Sequence, residues 1–266
     1  MDSEDEISTA IDLNPRYLRH LDFPSIHLPR TRDISVYLPP QYLSEPARRF
    51  PVFYLHDGQN LIDPRLSYVP GRTWRINETA DSLANSGEIE PVILVGIANT
   101  GLGRMAEYTH ARDFKMGGGD GHLYGRLITE ELKPFIDNTY RTQPNHTALG
   151  GSSLGALISL YLGLKNRQIF SKLAILSPSI WWNHRSILAT VNESTPTPPM
   201  KIYLDMGTHE GARHLRDADL LHKLLKTRGW RDGVDLSYTR ADGATHDESA
   251  WAHRFPNVLR FLFPNL

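Results

Sequence analysis

The chain has 266 residues, 40% of them apolar, a formal net charge of −1 and no cysteine. That is enough chain and apolar content for one large domain with a full core. The balanced charge gives no electrostatic reason for a nucleic-acid or membrane partner, and the missing thiols exclude disulfides, a thiol nucleophile and thiolate metal sites.

The N-terminal stretch MDSEDEISTAIDLNP is acidic and has no apolar centre, so it does not read as a secretory signal. No apolar run approaches the ~18 residues of a membrane span, and the expectation is a soluble, cytoplasmic protein. Twelve histidines make the net charge sensitive to pH near neutrality. The segment before Arg32 reads as an ordered edge extension, with an added β-strand as one form of it.

Seven runs then read as strands: ISVYLPP (34–40), PVFYLHDG (51–58), PVILVGIAN (91–99), TALGGS (147–152), KLAILSPS (172–179), KIYLDMG (201–207) and LSYTRADG (236–243). Most are short, apolar on both faces and closed by Gly, Pro, Ser or Asp, the pattern of buried parallel strands. Helical spacing marks residues 122–140, the run SLGALISLYLGLKN, the run ARHLRDADLLHKLLKTRGW and the closing ESAWAHRFPNVLRFLF, where Pro256 should kink or split the helix. The glycine-rich KMGGGDGH (115–122) reads as a mobile loop, either bordering a site or on bland surface. No linker or repeat divides the chain. Strands alternating with helices predict a single α/β domain over 1–266, with a mainly parallel central sheet covered on both faces.

Gly151-Ser152-Ser153-Leu154-Gly155 fits G-x-S-x-G between a β-run and a helix. In that context the motif reads as a nucleophile elbow, with Ser153 as nucleophile; the plainer reading is a strand–loop–helix connection rich in small residues. Small residues two before and two after let strand and helix pass closely, and the helix start offers unpaired N–H groups to an oxyanion. Ser152 should brace the turn by hydrogen bonding. The missing Gly-Lys-Ser/Thr after the turn speaks against a phosphate cradle.

The order Ser, acid, His places the base after a late strand, at His246 in ADGATHDESAW; His222 and His253 fall inside helical patterns. Glu210 follows KIYLDMG and is the favoured acid, with Asp242 able to substitute, Asp205 structural and Asp217 on the next helix. His209 and His214 are candidates for lining the pocket. The second oxyanion amide should come from YLHDGQNLIDP, where Gly58 lets the backbone turn and the Gln59 N–H joins that of Leu154. The plainer reading of His56-Asp57-Gly58 is a turn with Asp57 bonding its own loop. A metal held by His56 and Asp57 has no third ligand at suggestive spacing.

At these residues the chain resembles the esterase family of α/β-hydrolases that holds esterase D, enterochelin (siderophore) esterases and carbohydrate feruloyl or acetyl esterases. The marks run from about Arg32 to the C-terminus: RDISVYLPPQY, PVFYLHDGQNLID, TWRINETADSL, RMAEYTHARD, GGSSLGALISLYLGLKN, ILSPSIWW, YLDMGTHEG and THDESAW. HDGQN and SPSIWW look most like the siderophore-esterase branch. The resemblance implies a Ser153–His246–Glu210 triad, oxyanion amides from Gln59 and Leu154, no cofactor and no metal. Some siderophore esterases work with a Ser–His pair alone, which leaves Glu210 open. The cysteine of S-formylglutathione hydrolases is absent.

Arg104 matches a pocket-facing arginine of the family; the alternative is an ion pair with Glu107. Trp181 and Trp182 are candidate substrate contacts, one lining the pocket and the other in the core. Trp74 and Trp251 read as core or as support behind the site. The expected activity is hydrolysis of a trilactone or aryl ester. Carbohydrate deacylation, acyl transfer and a noncatalytic binding module are the alternatives.

Overall fold

The computed structural model describes residues 14–197 and 199–265. Eight strands form one sheet: β1 (Tyr17–Phe23), β2 (Arg32–Tyr37), β3 (Phe50–His56), β4 (Ile93–Ile97), β5 (Thr142–Ser152), β6 (Lys172–Leu176), β7 (Lys201–Gly207) and β8 (Leu236–Ala241). Their spatial order is β1-β2-β4-β3-β5-β6-β7-β8. From β4 to β8 every neighbouring pair is parallel, whereas β2 runs antiparallel to both β4 and β1. The edge extension before Arg32 is thus a strand from Tyr17 onward, and the acidic residues 1–13 lie outside the described residues.

The helices in chain order are α1 (Gln41–Ser44), α2 (Ile76–Asn85), α3 (Arg104–Glu107), α4 (Gly121–Arg126), α5 (Lys133–Thr139), α6 (Leu154–Lys165), α7 (Trp182–Arg185), α8 (Ile187–Asn192), α9 (Ala212–Thr227) and α10 (Glu248–Leu262). Alternation along the central strands divides the core. Val52 and Tyr54 of β3 face a cluster completed by α4, α5, α6, α8 and α9; Phe53 and Leu55 face one completed by α2 and α10. Because α6 is sandwiched between the sheet and outer helices, it is buried on nearly every side.

Two helical expectations change in detail. The run 122–140 is helical throughout but widens into a π turn at Leu127–Leu132, just before Pro134, which has no N–H to donate backward. Pro256 does not split the last helix: α10 is continuous, held by Trp251, Phe255, Val258, Leu259 and Leu262 in the core while Pro256 sits on a partly exposed face. No helix among the described residues is long and apolar enough to cross a membrane.

β3 lies between β4 and β5, so the chain crosses over it between those two strands. The carboxyl ends of β3 and β5 therefore border the crevice where such sheets bind ligands. At the end of β3 the turning residue is Asp57, at φ 55°, and not Gly58. Gly58 is required for a different reason: a Cβ there would lie 2.5 Å from the Gly96 carbonyl carbon and 2.7 Å from the Ile97 nitrogen. Backbone packed on backbone has no side chain that can yield. Gly58→Ala should therefore destabilise the fold by at least about 1–3 kcal/mol, read as a lower urea midpoint with an unchanged slope. An unchanged midpoint would contradict the close approach.

Candidate active site

β5 ends at Ser152, Ser153 turns the chain, and α6 begins at Leu154. Ser153 has φ 58° and ψ −121°, a region that non-glycine residues seldom occupy. The strain is held from both sides. The Ser153 N–H donates to the Leu176 carbonyl at 3.1 Å, and the Ser179 N–H donates to the Ser153 carbonyl at 3.1 Å. The flanking glycines ease a close approach: a Cβ on Gly151 would lie 3.1 Å from the Gly155 carbonyl carbon and 3.2 Å from His56 Cβ, tighter than ordinary contact. Ser152 does not brace the turn. Its hydroxyl makes no hydrogen bond among the described residues, and the residue lines a cavity instead.

His246, in the loop between β8 and α10, places Nδ1 2.7 Å from Glu210 Oε2. The Glu210 side chain is only 1% exposed, and the His246 side chain is 42% exposed. Burial alone would raise the Glu210 pKa, but hydrogen bonds from His246, the Ser177 hydroxyl and the Gly207 amide outweigh it and hold the carboxyl below its ordinary value. An ionised carboxylate only accepts, so Nδ1 carries the imidazole proton and Nε2 is left as the basic nitrogen. Asp242 does not compete; it accepts from the Thr208 hydroxyl at 3.3 Å. The Ser153 hydroxyl is paired with Ser179 Oγ at 3.2 Å and has no hydrogen bond to His246 in this conformation.

Behind Glu210 lies a buried polar group. Ser177 Oγ is 2.6 Å from Glu210 Oε1, and it receives Trp251 Nε1 at 2.9 Å and Arg254 Nη2 at 2.8 Å. Arg254 also forks onto Asp205 at 2.9 and 3.2 Å. Burial pushes the Asp205 carboxyl up to about 6 against that fork. Asp205 is thus the structural acid, as its place inside the strand suggests.

On the other flank, Gly58–Asn60 forms one 3-10 turn after β3, and the Gln59 side-chain oxygen accepts from the Asn99 N–H at 3.2 Å. Leu154, the first residue of α6, has no intrahelical acceptor for its N–H. Arg104 does not pair with Glu107. It forks onto Asp57 at 2.7 and 2.8 Å, joined there by Asn99 Nδ2 at 2.7 Å. Glu107 is taken by the buried Arg32 at 2.8 Å and by Thr100. Asp57 therefore bonds across the site rather than within its own loop. His56 lies under the elbow, where burial drives its imidazole down to about 3 and Tyr124 OH meets its Nδ1 at 2.8 Å. Among the described residues, no group of three or more His, Asp or Glu is placed to hold a metal.

Two cavities share Ser153 and His246 as walls. One, of about 310 Å³, is bounded by Pro178, Ser179, Trp181, Met206, Glu210 and His214. The other, of about 630 Å³, is bounded by Asp57, Gln59, Tyr68, Asn99, Leu102, Arg104, Ser152 and Trp251. A larger groove of about 820 Å³ runs along β8 and α10 and includes His253, but neither Ser153 nor His246.

Trp181 lines the smaller cavity. Trp182, also expected as a substrate contact, is 1% exposed and donates its N–H to the Ala111 carbonyl at 2.7 Å. Its neighbour Gly118 packs on that indole, so the glycine-rich 115–122 segment borders neither cavity. His214 lines the smaller cavity; His209 is exposed and lines neither. Trp74 is in the core against Trp251. Sequence reasoning missed Asp57, Asn99, Ser177 and Ser179 as site residues. The only signal for the two serines was their place in SPS, at the carboxyl end of a strand.

The Esterase family model, described as "Putative esterase", matches residues 25–262. Ferri-bacillibactin esterase BesA of Bacillus subtilis (strain 168) is 26% identical over 228 residues, 76% of this chain and 75% of BesA. Two solved structures show the same fold. An IroE-like serine hydrolase from Shewanella oneidensis has a TM-score of 0.76 at 21% identity, covering 93% of this chain and 80% of that one. Siderophore hydrolase EstA from Aspergillus nidulans has a TM-score of 0.73 at 17% identity, covering 98% of each chain. The chain belongs to this esterase family and is a carboxylic ester hydrolase built on the α/β-hydrolase fold.

Proposed function

We propose that the protein cleaves siderophore-type esters, trilactones or aryl-acyl esters, through a serine acyl-enzyme. The observation that carries this reading is the Glu210–His246 pair at 2.7 Å, sharing both cavities with a strained Ser153 at the end of β5. A turn about the Ser153 Cα–Cβ bond exchanges Ser179 for His246 Nε2. The imidazole takes the hydroxyl proton as Ser153 Oγ attacks the ester carbonyl. Glu210 holds the tautomer and stabilises the imidazolium. The Gln59 and Leu154 amides receive the oxyanion. His246 then protonates the departing alkoxide, and water repeats the sequence to free the acid.

Support for the substrate class is of three kinds. BesA, a relative over three quarters of the chain, is named for a siderophore ester. The two cavities allow bulk on both sides of the scissile bond. The larger one carries Arg104, its side chain 29% exposed, whose guanidinium suits an anionic or carbonyl oxygen on the substrate. Trp181 offers an aromatic face in the smaller one.

The test is ester hydrolysis on p-nitrophenyl acetate and butyrate, methyl ferulate, acetylated xylan and a catecholate trilactone. The trilactone should give the highest kcat/KM. A faster rate on acetylated xylan or methyl ferulate would move the assignment to carbohydrate esters, and product analysis with an added alcohol separates acyl transfer from hydrolysis.

Ser153→Ala should lose about 10⁴-fold or more in kcat, while Ser152→Ala should stay within about threefold, since Ser152 makes no bond in the turn. Full activity in Ser153→Ala would end the serine mechanism. Glu210→Gln should lower kcat by about 10³- to 10⁴-fold by offering His246 the wrong hydrogen-bonding partner. A loss under about tenfold would instead indicate a working Ser–His pair.

A further inference from the structure

We infer that Ser177 is a positioning residue of the reaction, whose hydroxyl aims the Glu210 carboxylate at His246. The inference rests on the triad reading and extends it by one residue.

Donor and acceptor accounting carries it. A serine hydroxyl has one proton and two acceptor lone pairs. Both acceptor sites of Ser177 are filled by groups that can only donate, the Trp251 indole N–H at 2.9 Å and the Arg254 Nη2 at 2.8 Å. Its single proton therefore goes to Glu210 Oε1, 2.6 Å away. The Gly207 amide donates to the same oxygen at 2.8 Å. With Oε1 occupied twice, Oε2 is the oxygen presented to His246 Nδ1. No free rotation of the hydroxyl remains.

The surroundings are built to keep this arrangement. Ser177 is 1% exposed and sits at φ 46°, with its own N–H on the Asp205 carbonyl and Oδ1, each at 3.1 Å. Trp251 and Arg254 are three apart on α10 and so share a face. Asp205 fixes the Arg254 fork, leaving Arg254 3.6 Å from Glu210, too far for a direct hydrogen bond. Trp251 also stands edge-on to the His246 ring at 4.9 Å. The arginine thus acts on the acid through the serine, and one helix face holds both the acid's partner and the base's ring.

The groups facing Glu210 are His246, Ser177, the Gly207 amide and, at longer range, Arg254 and Asp205. Removing the hydroxyl takes away one of the hydrogen bonds that favour the ionised acid. The rate should then begin to fall at higher pH on the acid side.

Ser177→Ala and Ser177→Gly both remove the hydroxyl, but glycine also relieves the backbone strain. With p-nitrophenyl acetate each should lose about 10- to 100-fold, mainly in kcat rather than KM, and shift the acid side of the pH–rate profile upward. Trp251→Phe keeps an aromatic side chain but removes the N–H donor to Ser177, together with part of the ring that faces His246 and the larger cavity; it should lose a few fold with an upward shift of the same kind, and the shift is the readout that serves if the Ser177 variants do not fold. Ser153→Ala and His246→Ala are run alongside. If those two are inactive while Ser177→Gly, or Trp251→Phe in its place, keeps the wild-type rate and profile, Ser177 only shapes the backbone and the inference is wrong. If Ser153→Ala is active, the triad reading falls first and takes this one with it.

Discussion

The crossing of β5 over the start of α6 is the constraint on which the site depends. Gly151 and Gly155 meet with tight room for a Cβ, both resting on His56. A strand and a helix that close can be joined only by a sharp turn, and the residue at the turn takes a backbone that costs free energy. Ser153 is that residue, and the end of β6 clamps it through Leu176 and Ser179. The hydroxyl is thereby held at the sheet's carboxyl edge by packing rather than by a flexible loop. The same crossing puts the free N–H groups of α6 beside it.

Around this turn the buried acids are treated in two ways. Asp57, Glu107 and Asp205 each carry a guanidinium, from Arg104, Arg32 and Arg254 respectively. Such pairs are expensive to break, because the partner left behind is an unpaired buried charge. Glu210 is the exception. Its strong partners are an imidazole, a hydroxyl and an amide, and the nearest arginine is held at one remove. In the proposed mechanism Glu210 responds to a proton arriving on His246, and for that role neutral donors serve better than a fixed positive charge.

How much of this could be read from the chain depends on whether a contact is local. The elbow is local: five residues, a strand before and a helix after. Glu210 and His246 follow from topology, because parallel neighbouring strands bring their carboxyl ends together, and β7 and β8 end just before them. Arg104 failed that logic. Glu107 is three residues away on the same turn, yet the fold gives Arg104 to Asp57 and brings Arg32 from another strand to Glu107. Trp181 and Trp182 are adjacent and chemically alike, so only packing against Ala111 and Gly118 tells them apart. Gly58 read as a turn-maker because glycine usually is one, whereas its neighbour Asp57 takes the left-handed backbone and Gly58 answers to the backbone of β4 packed against it. Ser177 had only its place at the end of a strand to mark it, since the three partners of its hydroxyl come from the loop after β7 and from α10.

The buried imidazole beneath the elbow has an effect beyond the site. Counted from composition, the histidines should make the molecule's charge responsive near neutral pH. Burial instead holds His56 at about 3 and His110 at about 4, and lowers His20 as well. These rings stay uncharged in the folded chain where exposed ones would gain a proton. Once unfolded, they titrate normally near 6.5. Unfolding below that pH therefore draws protons from solution. Their contribution to stability is intact above about 6.5 and erodes as the pH drops toward the folded values. The burial that packs these rings into the fold thus also makes acid a destabilising condition.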